Sequence, residues 1–179
     1  MRWRLKTVLL ISLGTLAMPG WAEWECVSGN CYNGYGVEKQ PFDGPRYAGS
    51  FLNGEYHGRG VMTFVDGASY EGDFVGGRFN GRGIFTWPDG SRYEGDWVDD
   101  HRTGKGVLTF ESGARHEGDY KDDKWHGKGV MTFADGASYE GHFIENRRSG
   151  KGTMRFPEGG GLEAIWENDK PVREITTLE

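Results

Sequence analysis

Four glutamates recur 23 residues apart, at Glu71, Glu94, Glu117 and Glu140, and carboxylates are the first groups to weigh for general acid or base chemistry. A working acid–base pair needs two carboxyls whose environments push their pKa values apart. A glutamate copied to the same place in successive rows has one environment repeated, so it reads as part of the scaffold. The histidines do not cluster either. His57 and His126 share one row position, His101 lies two places earlier in its row, His116 stands where other rows have tyrosine, and His142 follows Gly141. For His57 and His126 the reading is a turn role. Asp99-Asp100 and Asp122-Asp123, beside His101 and the His126 loop, raise the question of cation capture. Calcium asks for six to eight oxygens, and neither doublet carries the spaced ligands of an EF-hand loop, so these read as solvated turn acids. Glycine strings such as Gly81-Arg82-Gly83 lack the lysine and the strand-to-helix setting of a phosphate loop. Thr63, Thr86, Thr109 and Thr132 recur as ordinary strand formers. The expectation is a protein that is not an enzyme, with no catalytic residue, no metal and no cofactor.

Cys26 and Cys31 are the two cysteines of the chain, with four residues between them. They lack the spacing of a redox pair and have no clustered histidine, so in an oxidising compartment they read as a disulfide. The compartment is suggested by the first 22 residues. Arg2, Arg4 and Lys6 precede an apolar run from Val8 to Met18, and Gly20-Trp21-Ala22 offers the small residues of a cleavage site. This is the layout of a secretory signal peptide over 1–22, and the run is too short to span a bilayer comfortably. The expected location is therefore periplasmic or secreted. The leader's three charges are all basic, which leaves 18 Lys and Arg against 27 acids, about −9 for the exported chain. Such a charge opposes nucleic-acid binding and disfavours anionic lipid, and no basic stripe longer than Arg147-Arg148 works against it.

What must position any site is a repeat. Rows of 23 residues begin at Tyr47, Tyr70, Tyr93, His116 and Tyr139 and fill 47–161 without insertion or deletion. Positions three, twelve and fourteen of every row are glycine, as in Gly72, Gly81 and Gly83, and most rows close on Asp-Gly, as in Asp89-Gly90. Position five is always aromatic (Phe51, Phe74, Trp97, Tyr120, Phe143), as is position eighteen (Phe64, Trp87, Phe110, Phe133, Phe156). Residues 23–46 read as an N-terminal cap holding the cysteine pair and a degenerate row, and 162–179 as a partial row and a tail. Two stretches per row alternate with period two, positions one to six and thirteen to eighteen, and so predict two short strands. Asp-Gly supplies one reversal and the glycine-rich middle the other. The fold class is all-β, an elongated single-sheet array of antiparallel hairpins in which each unit touches its neighbours.

Runs such as Tyr70-Glu71-Gly72-Asp73-Phe74 and Tyr93-Glu94-Gly95-Asp96-Trp97 make each row resemble the MORN repeat, over about 125 of the 157 residues after the leader. His116 in place of tyrosine and Ala48 in place of glutamate depart from the pattern. The resemblance implies a sheet of successive hairpins and a role in protein or lipid association without catalysis by the repeats.

Alternation puts rings and glycines on one face and charges such as Glu94, Asp96, Arg82 and Lys105 on the other. Glycine leaves room for aromatics to lie over the backbone. A single sheet has no second layer, so either the rings close on each other or a stripe stays exposed as a binding site. The candidate stripe is Tyr70, Phe74, Trp87, Tyr93, Trp97, Phe110 and Tyr120, holding a protein segment or a second copy of the chain. Lipid association is the alternative.

Overall fold

The structure, a computed structural model, describes residues 24–41 and 43–179, so the expected leader lies outside the described residues. Fourteen strands follow one another as β1 (Glu25–Gly29), β2 (Gly34–Lys39), β3 (Arg46–Leu52), β4 (Glu55–Thr63), β5 (Ser69–Val75), β6 (Arg78–Thr86) and β7 (Arg92–Val98), then β8 (His101–Thr109), β9 (Arg115–Lys121), β10 (Lys124–Thr132), β11 (Ser138–Ile144), β12 (Arg147–Arg155), β13 (Gly161–Glu167) and β14 (Lys170–Leu178). They form one antiparallel sheet in chain order, each strand bonded only to its sequence neighbours. The partial last row is a complete hairpin, β13 with β14.

The alternating stretches form strands, but one turn lies elsewhere than the glycines suggest. Asp-Gly does reverse the chain between rows, with the Gly67 and Gly90 amides donating to the Phe64 and Trp87 carbonyls. The reversal within a row falls at positions seven and eight, not in the glycine-rich middle. There the pairs Gly76-Gly77, Asp99-Asp100, Asp122-Asp123 and Glu145-Asn146 all have φ between 47° and 77°. Two consecutive positive angles make the two-residue turn whose twist matches the strands, and Asp and Asn tolerate it. The position-twelve glycine, φ 68° at Gly81, is instead inside the longer strand, where the register slips between Gly72↔Gly83 and Asp73↔Asn80. That slip is a bulge. An aspartate at position four steadies it: Asp96 accepts from the Lys105 amide at 2.9 Å and Asp119 from the Lys128 amide at 3.1 Å.

Positions three and fourteen pair across every strand boundary, so glycine meets glycine from Gly36 to Gly152 and the line ends on Ala164. The row-opening tyrosine lies over this line. A Cβ on Gly83 would collide with the ring and hydroxyl of Tyr70. With no side chain beneath it, the ring lies down and its hydroxyl donates back to the position-four carbonyl: Tyr70 to Asp73 at 3.1 Å, Tyr93 to Asp96 at 3.2 Å and Tyr139 to His142 at 3.2 Å. Tyr47, Tyr70, Tyr93 and Tyr139 are wholly buried as a result.

Candidate binding face

The bulge aims position ten across the same face, and this supplies the cover that a lone sheet lacks. Phe79 stacks on Tyr70 with ring centres 3.7 Å apart, Tyr56 on Tyr47 at 3.9 Å, and Trp125 on His116 at 4.3 Å. In two rows an arginine takes that place: the Arg102 guanidinium lies 5.6 Å from the Tyr93 ring, and that of Arg148 5.6 Å from Tyr139 and 4.5 Å from Trp166 of the following row. The position-five rings meet the tyrosines edge to face, as Tyr70–Phe74 at 5.1 Å and Tyr93–Trp97 at 5.2 Å. Each buried ring contributes about 2 kcal/mol of apolar transfer, and each such pair about 1 kcal/mol more. The rings close on each other and are the core.

This changes the candidate stripe. Tyr70, Phe74, Tyr93, Trp97 and Tyr120 are 5 % exposed or less, so they do not form the open surface the sequence suggested; only Trp87 and Phe110 remain half-exposed. The reason is the position-ten side chain, which alternation of positions one to six left out of account. What solvent reaches is an outer layer: Phe64, Phe79, Phe85, Trp87, Phe110, Trp125 and Phe133 are partly buried against the core, and Phe156 is 47 % exposed. Neighbouring members touch, Phe85–Trp87 at 4.8 Å and Phe110–Trp125 at 6.4 Å, with the Arg102 guanidinium 5.7 Å from the Trp87 ring. Phe64, Phe79, Phe85, Trp125 and Phe133 lie outside the stripe read from the sequence. For Phe64 and Phe133 the invariant aromatic at position eighteen was the available signal; Phe79 and Trp125 at position ten and Phe85 at position sixteen had none.

The aspartates of the inner turns are not simply solvated. Asp100 accepts from the Phe79 amide at 2.8 Å, and Asp123 accepts from both the amide and Nε of Arg102 at 3.0 Å. Each clips its turn to the preceding row. His101 also reaches Asp123 at 2.7 Å; that bond raises the His101 pKa, and although partial burial pushes Asp123 up, the bonds from His101 and Arg102 hold it below the usual carboxylate range. Among the described residues no group of three or more His, Cys, Asp or Glu is placed to hold a metal ion.

Burial pushes the pKa values of Tyr47, Tyr70, Tyr93 and Tyr120 well above the ordinary range, so these hydroxyls stay neutral donors. His116 is wholly buried and its pKa falls to about 4, through burial and then the nearby Arg115 charge. Its Nδ1 meets the Tyr120 hydroxyl at 3.0 Å, while Nε2 has no partner. The opposite face is a broad trough lined by Arg82, Glu94, Lys105, Glu117 and Lys128 over glycine backbone. Its charges meet across strands, Arg82 with Asp96 at 3.4 Å and Lys105 with Asp119 at 2.5 Å, and exposed pairs of this kind contribute a few tenths of a kcal/mol. At the N-terminal end a disulfide joins Cys26 and Cys31.

Comparison with known proteins agrees with this architecture. The family model for the MORN repeat matches five times in succession, at residues 47–69, 70–92, 93–115, 116–138 and 139–161. No curated protein matches the chain. Among solved structures, the chain is similar to the TCP domain of SAS-4 (dCPAP) of Drosophila melanogaster, solved in complex with a proline-rich motif of Ana2 (dSTIL). The TM-score is 0.52 at 13% identity, with 86% of each chain covered. At that identity the likeness is one of fold.

Proposed function

The chain belongs to the MORN repeat family, and from that premise we propose that it works without catalysis, as a protein-interaction module whose contact surface is the outer aromatic layer. The observation that carries this reading is the treatment of position eighteen. It is aromatic in every row and stays at the solvent side of the core: Phe64, Trp87, Phe110 and Phe133 are only partly buried against it, as are Phe79, Phe85 and Trp125 beside them, and Phe156 is 47 % exposed. A regular line of partly exposed rings along a sheet is a surface suited to binding. Support also comes from the Drosophila domain, a sheet of this fold solved with a protein segment. Peripheral lipid association has no observation of its own, and the acidic charge opposes it. We place the module outside the cytoplasm. The leader-like first 22 residues and the Cys26–Cys31 disulfide support that placement.

The test is crosslinking and mass spectrometry from the native source with Phe156→Ala and Trp87→Ala variants. Phe156 is exposed enough for its alanine variant to fold normally. The expected result is loss of the crosslinked protein partner in both variants; an unchanged partner profile would remove the outer layer as the contact surface.

A further inference from the structure

The ligand geometry follows from the spacing of the rings and from a charge imbalance beside them. Position eighteen opens the turn between rows, and each of these turns carries one acid: Asp66, Asp89, Glu111, Asp135 and Glu158. All five are exposed, and none has an ion-pair partner among the described residues. Many acids elsewhere are matched, Asp73 with Arg59, Asp96 with Arg82, Asp119 with Lys105, Glu94 with Arg92, Glu117 with Arg115 and Glu145 with Lys124, whereas Glu55, Glu71 and Asp122 are further acids outside such pairs among the described residues. The edge along the ring line is thus a row of uncompensated negative charge in step with the rings. Two strands separate one ring from the next, about 9.6 Å at the usual strand spacing.

Few peptide conformations repeat at that distance. A polyproline II helix advances about 9.3 Å per three-residue turn and presents the same face each time. Counted along the strand-to-strand direction alone, the mismatch accumulated over the four intervals from Phe64 to Phe156 is about 1 Å, less than the width of a ring. An α-helix that repeats its face every seven residues advances about 10.5 Å and drifts by roughly 4 Å over the same four intervals. A β-strand repeats its face about every 6.7 Å and falls out of step at once.

Building on the reading of the outer layer as a contact surface, we infer that its occupant is a basic proline-rich segment in the polyproline II conformation, one three-residue turn per row. Prolines lie on the rings of Phe64, Trp87, Phe110, Phe133 and Phe156. A lysine or arginine of each triplet, on a neighbouring face of the three-sided helix, meets the acid of that row. The conformation is set before binding, so little chain entropy is lost on docking. The unpaired acids speed the encounter and fix the register.

The probe is a labelled 15-residue peptide of five Pro-Pro-Lys triplets, titrated into the exported chain and followed by fluorescence anisotropy. Beside it run a shuffled peptide of the same composition, a Pro-Pro-Glu peptide and a lysine-bearing amphipathic helix. The expected result is binding of the periodic peptide about tenfold tighter than the shuffled one, with none of the glutamate peptide. Combining Asp66→Asn, Asp89→Asn, Glu111→Gln, Asp135→Asn and Glu158→Gln should weaken it at least about tenfold, with an unchanged thermal midpoint showing that the sheet is intact. Equal binding of periodic and shuffled peptides overturns the inference. So does tighter binding of the helix, or a sedimentation shift showing that a second copy of the chain occupies the rings. If no peptide binds while Phe156→Ala still loses its crosslinked partner, the contact surface stands and only the ligand conformation falls.

Discussion

The second and fourth rows carry the same 23-residue pattern and hold it with different chemistry. In the second, Tyr70 lies between the glycine line and Phe79, its hydroxyl reaching the Asp73 carbonyl. Its turn, Gly76-Gly77, offers only a backbone bond, from the Gly77 amide to the Tyr56 carbonyl. In the fourth row His116 replaces the tyrosine; the shorter ring stacks on Trp125 but leaves Nε2 unpaired above the glycines. There the turn does more, because Asp123 binds Arg102 through both amide and side chain. One row is held by fitted rings and the other by a polar clip between rows. The repeat conserves a shape while the contacts that maintain it change.

The largest expected difference between the rows is their response to a single methyl group. In Gly83→Ala the Cβ runs into the Tyr70 ring, whereas in Gly129→Ala its nearest neighbour is His116 Nε2 at 2.8 Å. Chemical denaturation should show a loss of about 3 kcal/mol or more for the first and roughly 1–2 for the second. Equal losses would mean that the ring does not set the glycine requirement. Next in size is pH. Because the folded pKa of His116, about 4, lies below its unfolded value near 6.5, the unfolded chain binds the proton first as pH falls. Stability from this group is fully present above pH 6.5 and declines toward pH 4, by on the order of 3 kcal/mol. His116→Tyr should remove that slope and gain about 1 kcal/mol at neutral pH by restoring the hydroxyl bond; an unaltered slope would assign it to other groups. The smallest contrast lies within the fourth row's turn. With glycine, which accepts the positive φ at both places, Asp123→Gly should cost about 2 kcal/mol by unpairing Arg102, and Asp122→Gly less than about 0.5 kcal/mol. Thermal melts of the two variants separate clip from solvated acid.

The period, the strands and the Asp-Gly reversals were legible because each depends on local backbone preference and alternation. The inner turn was not. Gly81 and its equivalents have the positive φ that a turn also needs, and Asp122-Asp123 carries no glycine to mark it. The same bulge hid the fate of the candidate site. Tyr70, Phe74, Tyr93, Trp97 and Tyr120 share the face that alternation gave them, but whether they meet solvent depends on where Phe79, Arg102 and Trp125 land beyond a register slip. Trp87 and Phe110, just past the ends of β6 and β8, stay partly exposed although Arg102 and Trp125 lie beside them.

A sheet whose strands bond only to their sequence neighbours also has a mechanical character. Pulled by its two ends, it loads the hydrogen bonds of one hairpin at a time, as a zip does, instead of shearing many together. Each row released adds 23 residues, or about 80 Å of extended chain, while the remaining rows keep their rings closed. Tension would therefore shorten the line of position-eighteen rings in steps of one row, turning an applied force into a count of the rows that remain folded.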